Sequence, residues 1–535
     1  MVPHGWNRSW VSSYLLCYRR QGTGPLADTA DGSTPFPTED KQLTATNAEF
    51  FGHPIGLRTL FLTEMWERMS YYGMRALLVL YMTGAVTMAN AGLGMSALEA
   101  QAIYGIYVGM VYFLAVPGGW LGDNLFGHQR AVLYGAIIIA LGHLTLAVPI
   151  ESGLFFGLGL VAIGSGLLKS NISTIVGKLY ADNDPRRDAG FTIFYMSINI
   201  GSTVGYAVCG FMGEKIGWHW GFGAAGVGMI LGVIQYVRTR HLLGEAGLEP
   251  NPMPEARRDQ LSRWAMFVGL AAALVVMLFG TGVIEVSASA FAENLAYALT
   301  TIAGIYFLYL YGFAGLNPAE RKNVLLLFLL FIAAAAFWSG FDQSGGSLNL
   351  FARDYTDLNF LGVDMPVSWV QFFNPIYVVV FAPMFAAFWA YLGRRNMDPS
   401  LPLKFALGLL FMGLSFVVML LAVGVALESA PIGLQWLLIT YLLQTWGELT
   451  LSPIGLSAFS RYSPKRYVGQ MFGLWFLASA IGGVLAGLLG GEATDGGLES
   501  MSPVFTYMIQ YYFGIAAVLV VLAYFFRHKE ASPNE

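Results

Sequence analysis

The chain has 535 residues; 56% are apolar or aromatic and only 12% are charged. That charged share is about half of what a soluble domain uses to cover its surface, so a water-soluble globule of this size is excluded. The net charge of −4 lacks the basic footprint of a nucleic-acid binder, and two cysteines, Cys17 and Cys209, cannot carry a disulfide framework.

Residues 1–52 are rich in Gly, Pro, Thr, Asp and Asn and hold one short apolar run, 10–18. A run of about nine residues is too short for a hydrocarbon core of roughly 30 Å. Arg19 and Arg20 follow it, the wrong order for a signal peptide, so the segment reads as a disordered cytosolic tail. Fourteen apolar stretches of membrane-spanning length follow, at 57–84, 100–121, 130–149, 153–178, 189–213, 218–237, 264–283, 295–316, 323–351, 367–392, 404–427, 435–457, 467–490 and 503–526. Pro117, Pro375, Pro383 and Pro453 fall inside them; membrane helices tolerate such breaks where they line a cavity.

The Lys and Arg residues give the orientation. With the N-terminus inside, 24 of the 29 basic residues fall in the tail and the inner segments, and only Lys215 and Arg353 fall outside. The other three, Arg68, Arg75 and Lys169, lie within helices. The alternation holds loop by loop, so both termini are expected in the cytoplasm of a multi-pass protein of the bacterial cytoplasmic membrane. The longest inner loop, 238–263, separates a first six-helix bundle (53–240) from a linker with two extra helices (241–320). A second six-helix bundle (321–527) and a short cytosolic tail (528–535) complete the plan. The extra pair reads as a lipid-facing scaffold. Six plus six is the repeat plan of the major facilitator superfamily, whose substrate site lies between the halves. The expected fold class is thus an all-α membrane protein of that type with fourteen transmembrane helices. Gly118-Gly119-Trp120-Leu121-Gly122-Asp123, with Phe126-Gly127 and Arg130, resembles that superfamily's loop motif, in which Asp123 would pair with a nearby Arg.

Ionisable groups inside membrane helices are expensive and are candidates for function. On the first helix, Glu64, Glu67, Arg68, Tyr71, Tyr72 and Arg75 fall within an arc of about 140° at 3.6 residues per turn. That face must meet a cavity or paired charges. Lys169 is a single cation in the fourth helix and must be paired or lie in water. Asp342 and Glu448 are single acids deep in apolar stretches of the second half. A zwitterion held between the halves would meet cations, Arg75 and Lys169, on one side and acids on the other.

Glu64-x-x-Glu67-Arg68-x-x-Tyr71-Tyr72 resembles the signature of the proton-dependent oligopeptide transporter family. Gly166-Leu-Leu-Lys169-Ser-Asn171 and Phe194-Tyr195-Met-Ser-Ile-Asn199-Ile-Gly201-Ser202 are similar to that family's fourth- and fifth-helix segments. Phe337-Trp338, Phe341-Asp342-Gln343, Asn374-Pro375, Gly447-Glu448, Ser452-Pro453 and Trp475 resemble its second-half motifs. The resemblance covers residues 53–526, with the extra helix pair of bacterial members.

The resemblance implies import of di- and tripeptides with protons, driven by the proton gradient without a cofactor. Glu64, Glu67, Arg68 and Lys169 would couple protons to gating, and Arg75 with Asp342 would form a gate. Glu448 would hold the peptide amino group, and Arg75 and Lys169 would attract the carboxylate. Asn199 and Asn374 would bond the peptide backbone; Tyr71, Tyr72, Tyr107, Trp338, Trp475 and Ser452 would complete the substrate site. The family usually has Glu where this chain has Asp342, so a looser or water-bridged gate is expected. Partners beyond peptide and proton are the bilayer, not nucleic acid, with a monomer as the working unit. A rival cargo on the same fold is nitrate or another small organic solute; the acid at Glu448 suits an amine better than an anion. An intramembrane enzyme or sensor is a more distant rival. Neither a catalytic nor a metal-binding motif stands out, and no polar stretch is long enough for an output domain.

Overall fold

The computed structural model describes residues 49–181, 184–280, 287–360 and 362–526. The tail expected at 1–52 lies outside them except for its last residues, as does the expected segment 528–535. Each of the fourteen expected spans contains a long helix among the described residues. These helices are α1 (Gly56–Thr83), α2 (Ala97–Phe113, continued by Ala115–Leu121), α3 (His128–Ala147), α4 (Glu151–Lys178), α5 (Arg187–Phe211), α6 (Trp218–Thr239) and α7 (Glu255–Gly280). They continue as α8 (Ala288–Gly312), α9 (Pro318–Phe341), α10 (Phe373–Arg394), α11 (Leu401–Ser429), α12 (Gln435–Arg461), α13 (Val468–Asp495) and α14 (Leu498–Phe526). The face with most of the loop Lys and Arg is termed inner, the opposite face outer.

Ten of these helices are long and apolar enough to cross a membrane by length and composition; α1, α5, α7 and α12 fall outside that set. The reason is chemical. α1 carries four ionisable groups on one stretch, α12 holds Glu448 among Gln, Thr and Ser residues, α5 is rich in Ser, Thr, Asn and Gly, and α7 opens with a charged segment, Glu255–Arg263.

Local sequence accounts for the ends and breaks. α9 opens with a reciprocal cap: Asn317 Oδ1 accepts from Glu320 N at 2.8 Å, and Glu320 Oε2 accepts from Asn317 N at 2.9 Å. Pro318 occupies the first helical position, where its missing N–H is harmless. The expectation of one continuous helix over 323–351 is corrected. α9 stops at Phe341, a 3₁₀ turn covers Asp342–Gly345, and a short helix, Ser347–Tyr355, restarts the chain. Gly345 and Gly346 pass so close to α2 that an added Cβ would lie 2.5 Å from the Tyr104 hydroxyl and 2.4 Å from Gln101 Oε1. Pro383 in α10 and Pro453 in α12 each remove one helical hydrogen bond.

Two buried cores form. One draws on α1–α6, with Leu60, Met74, Val132 and Phe222, and the other on α8–α14, with Phe307, Phe337, Phe416 and Phe505. α1 packs on α5 through Gly201 and Gly205, where a Cβ would lie 2.3 Å from the Met65 carbonyl and 2.4 Å from that of Met69. The helix-five signature thus brings two backbones together beside the charged face of α1. α7 and α8 expose Trp264, Phe267, Leu270, Ile305 and Leu308, faces that suit hydrocarbon.

The loop motif after α2 is wired differently from expectation. Asp123 lies 3.3 Å from His128 Nε2, not against an arginine, and Arg130 pairs instead with Glu249 at 3.7 Å. His128 Nδ1 is 2.7 Å from Asn171 Oδ1, and Asn171 Nδ2 donates to the Gly118 and Leu167 carbonyls. The tight turn places His128 first in α3, nearer to Asp123 than any described arginine.

Candidate functional site

Two ionic clusters sit on α1. In the first, Arg68 Nε lies 2.7 Å from Glu64 Oε1 and 3.0 Å from Glu67 Oε2, with all three residues buried. Ser165 on α4 donates to Glu67 Oε1 at 3.4 Å. Glu64 and Arg68 are four residues apart, so one helical face presents both. Two carboxylates thus share one guanidinium where water is excluded, and a proton on either acid would discharge the surplus. Lys169 is not part of a close ion pair. Its Nζ lies 4.0 Å from the Tyr112 ring centroid and 5.5 Å from that of Tyr71, with no hydrogen-bond partner among the described residues. An ammonium over aromatic faces is held by their quadrupoles.

The second cluster joins the halves. Arg75 Nη1 donates to Asp342 Oδ1 at 3.0 Å and Nη2 to Ser344 Oγ at 2.7 Å. The expectation of a looser or water-bridged pair is therefore corrected. The 3₁₀ turn after α9 brings Asp342 and Ser344 onto one guanidinium, and the Tyr104 hydroxyl donates to the Asp342 carbonyl at 2.8 Å. The path of the backbone brings the short Asp342 side chain within direct reach of Arg75.

Further bonds close the outer side around this pair. Asn349 Nδ2 donates to the Ala76 carbonyl at 2.8 Å, and Arg353 Nη1 to Thr83 Oγ1 at 2.7 Å. Glu214 accepts from the backbone N–H groups of Val367 and Ser368 at 2.6 and 2.9 Å, and Lys215 pairs with Asp364 at 3.2 Å. Both outer basic residues, Lys215 and Arg353, thus lie in the seam between the halves. Toward the inner side Tyr195, beside Glu448, is 40% exposed. On the outer side the two halves are thus tied together across the seam.

On the second half, Asn374 Nδ2 donates to Glu448 Oε2 at 3.3 Å and to Thr445 Oγ1 at 2.9 Å. Glu448 keeps acceptor capacity beyond that bond. Arg75 and Asn374 line one narrow cavity with Tyr72, Ser344, Gln371 and Gln444. Ser452 is half-buried one turn inward of Glu448 on α12. Asn199 is buried and turned onto its own helix, donating to the Tyr195 carbonyl at 3.3 Å.

The aromatic set divides. Tyr72 reaches the cavity, and Trp338 is half-buried with its indole N–H unpartnered. Tyr71 and Tyr107 are 1% and 3% exposed, stacked at 6.2 Å behind the α1 face, so neither forms a cavity wall in this conformation. Trp475 is buried against Phe459, at 5.4 Å, and against Gly455. Sequence reasoning missed Tyr112 under Lys169, Tyr104 and Ser344 beside the Arg75–Asp342 pair, and Gln371 and Gln444 in the cavity. Tyr104, Tyr107 and Tyr112 share one helix, and only packing distinguishes them.

A model of the POT family matches residues 129–496. The chain is 40% identical over 494 residues to "Peptide transporter YePEPT" of Yersinia enterocolitica, covering 90% of this chain and 96% of that one. It is 38% identical over 453 residues to a "Di-/tripeptide transporter" of Lactococcus lactis subsp. cremoris, covering 82% and 90%. A crystal structure of a peptide transporter POT in complex with sulfate superposes with a TM-score of 0.82 at 39% identity, over 89% of this chain and 96% of that one.

Proposed function

Because the chain belongs to the POT family of membrane transporters, we propose that it imports di- and tripeptides together with protons by alternating access. One observation carries the reading. A single cavity between the halves is lined by Arg75 from the first and by Asn374, bonded to Glu448, from the second. Fixed charges of opposite sign then read the two termini common to every short peptide, whatever its side chains. Glu448 takes the amino group and Asn374 helps to hold it. Arg75 and Lys169 attract the carboxylate, which Lys169 meets without breaking a close ion pair. Tyr72, Trp338 and Ser452 face the side chains.

The Glu64–Glu67–Arg68 cluster is the proton site. Protonation of one acid leaves Arg68 bound to a single carboxylate and frees α1 to shift against α4 and α5. The outer seam then parts or closes at Arg75–Asp342, and the halves rock about the bound peptide. No cofactor takes part; the proton gradient supplies the energy. The membrane potential adds about 2.3 kcal/mol per charge per 100 mV. The setting is the bacterial cytoplasmic membrane, with both termini inside and a monomer as the working unit.

Purified protein in proteoliposomes should accumulate labelled alanyl-alanine when the outside is acidified, and only equilibrate it without a gradient. Competition by unlabelled dipeptides but not by nitrate separates this cargo from the anion alternative, which Glu448 disfavours by repulsion. Uptake that ignores the pH gradient would overturn the coupling.

A further inference from the structure

Gln371 and Gln444 are both 1% exposed, and both line the narrow cavity that Arg75 and Asn374 enclose. Gln371 has neither its Nε2 nor its Oε1 hydrogen-bonded, and Gln444 leaves its Nε2 free. Gln371 stands three residues before Asn374, and Gln444 four before Glu448. The two amides therefore form a second tier about one helical turn, roughly 5.4 Å, outward of the Asn374–Glu448 pair. Nothing in the proton or gate chemistry uses them. By contrast, the α12 threonines Thr440, Thr445 and Thr450 each bond a carbonyl of their own helix, Thr445 that of Tyr441 at 2.7 Å. An orphaned buried amide is costly and is normally found with a partner.

We propose that Gln371 and Gln444 form a subsite for a small, polar, uncharged side chain on the first residue of the bound peptide. The proposal rests on the peptide-transport reading and sharpens its substrate class. With the amino group on Glu448, the first side chain is the nearest group able to enter the tier above. A carboxamide or hydroxyl there can accept from the free amide N–H groups and donate to Gln371 Oε1. An aliphatic side chain of equal size would leave the amides orphaned and displace any water that fills them. A charged one would have to shed its hydration against two neutral amides.

The test uses the full-length protein in proteoliposomes, with asparaginyl-alanine and leucyl-alanine competing for labelled alanyl-alanine uptake. Wild type is expected to prefer asparaginyl-alanine on the order of tenfold, the worth of about one buried hydrogen bond. Gln444→Leu and Gln371→Leu are each expected to bring the ratio close to one, and Gln444→Met to do so with little change of volume. Should a variant not transport, stabilisation of the purified protein against heating by the two peptides gives the same ratio. A wild-type ratio of one, or a preference that survives both substitutions, overturns the subsite and leaves the amides as water sites. Absence of saturable alanyl-alanine uptake in wild type instead overturns the transport reading itself, and the subsite with it.

Discussion

The two ionic clusters of α1 lie about two turns apart on one helix and differ in what they hold. Glu64, Glu67 and Arg68 pair with one another within the first half, two acids to one base, whereas Arg75 reaches across to Asp342 and Ser344 in the second. A cluster closed on itself can change its charge without parting an interface. A cluster shared between halves cannot lose a member without loosening the seam. Both clusters sit on one helix, so on the proposed mechanism a shift of α1 set off by a proton at one level would move Arg75 with Arg68.

Substitutions that strike one cluster and spare the other test this contrast. The largest effect is expected from Glu67→Gln, which removes a titrating group while keeping its shape. Proton-driven accumulation should vanish, while counterflow exchange of peptide persists; accumulation at the wild-type level would deny the first cluster its coupling role. Next is Asp342→Ala, which leaves Arg75 buried without its counter-ion. Loss of one partner from a buried pair costs about 3–5 kcal/mol, more than a hundredfold in an equilibrium. The outer-closed population should fall accordingly, read as a longer distance between spin labels at the outer ends of α1 and of the Ser347–Tyr355 helix. An unchanged distance distribution would show that the seam is held elsewhere. Ser344→Ala should act in the same direction but less, by about 1.5–3 kcal/mol for a hydrogen bond to a charged group. If its effect equalled that of Asp342→Ala, the serine rather than the ion pair would be the main tie.

The contrast was partly legible in the sequence. Charge in an apolar helix is conspicuous because it is expensive, so Glu64, Glu67, Arg68, Arg75, Lys169, Asp342 and Glu448 stand out before any coordinates. The helical period then places the α1 groups on one face. It does not say which of them look into a cavity and which into a neighbouring helix, and so Tyr71 and Tyr107 prove to be packed rather than exposed. The partner of Lys169 was equally out of reach, because a tyrosine ring is no anomaly in a membrane helix. Neutral groups carry the least signal. Ser415 bonds the Met412 carbonyl of its own helix at 2.6 Å, whereas Ser344 bonds Arg75, and the letters are the same. The break after Phe341 left a trace, Gly345-Gly346, but two glycines within an apolar stretch do not by themselves say that a helix stops.

The Tyr104 hydroxyl grips the main-chain carbonyl of Asp342 and not its side chain. The turn that presents the acid is therefore anchored to α2 by an atom that every amino acid possesses. Position 342 is free to vary in the length of its carboxylate without the chain losing its course, and the tie between the halves can be retuned one methylene at a time.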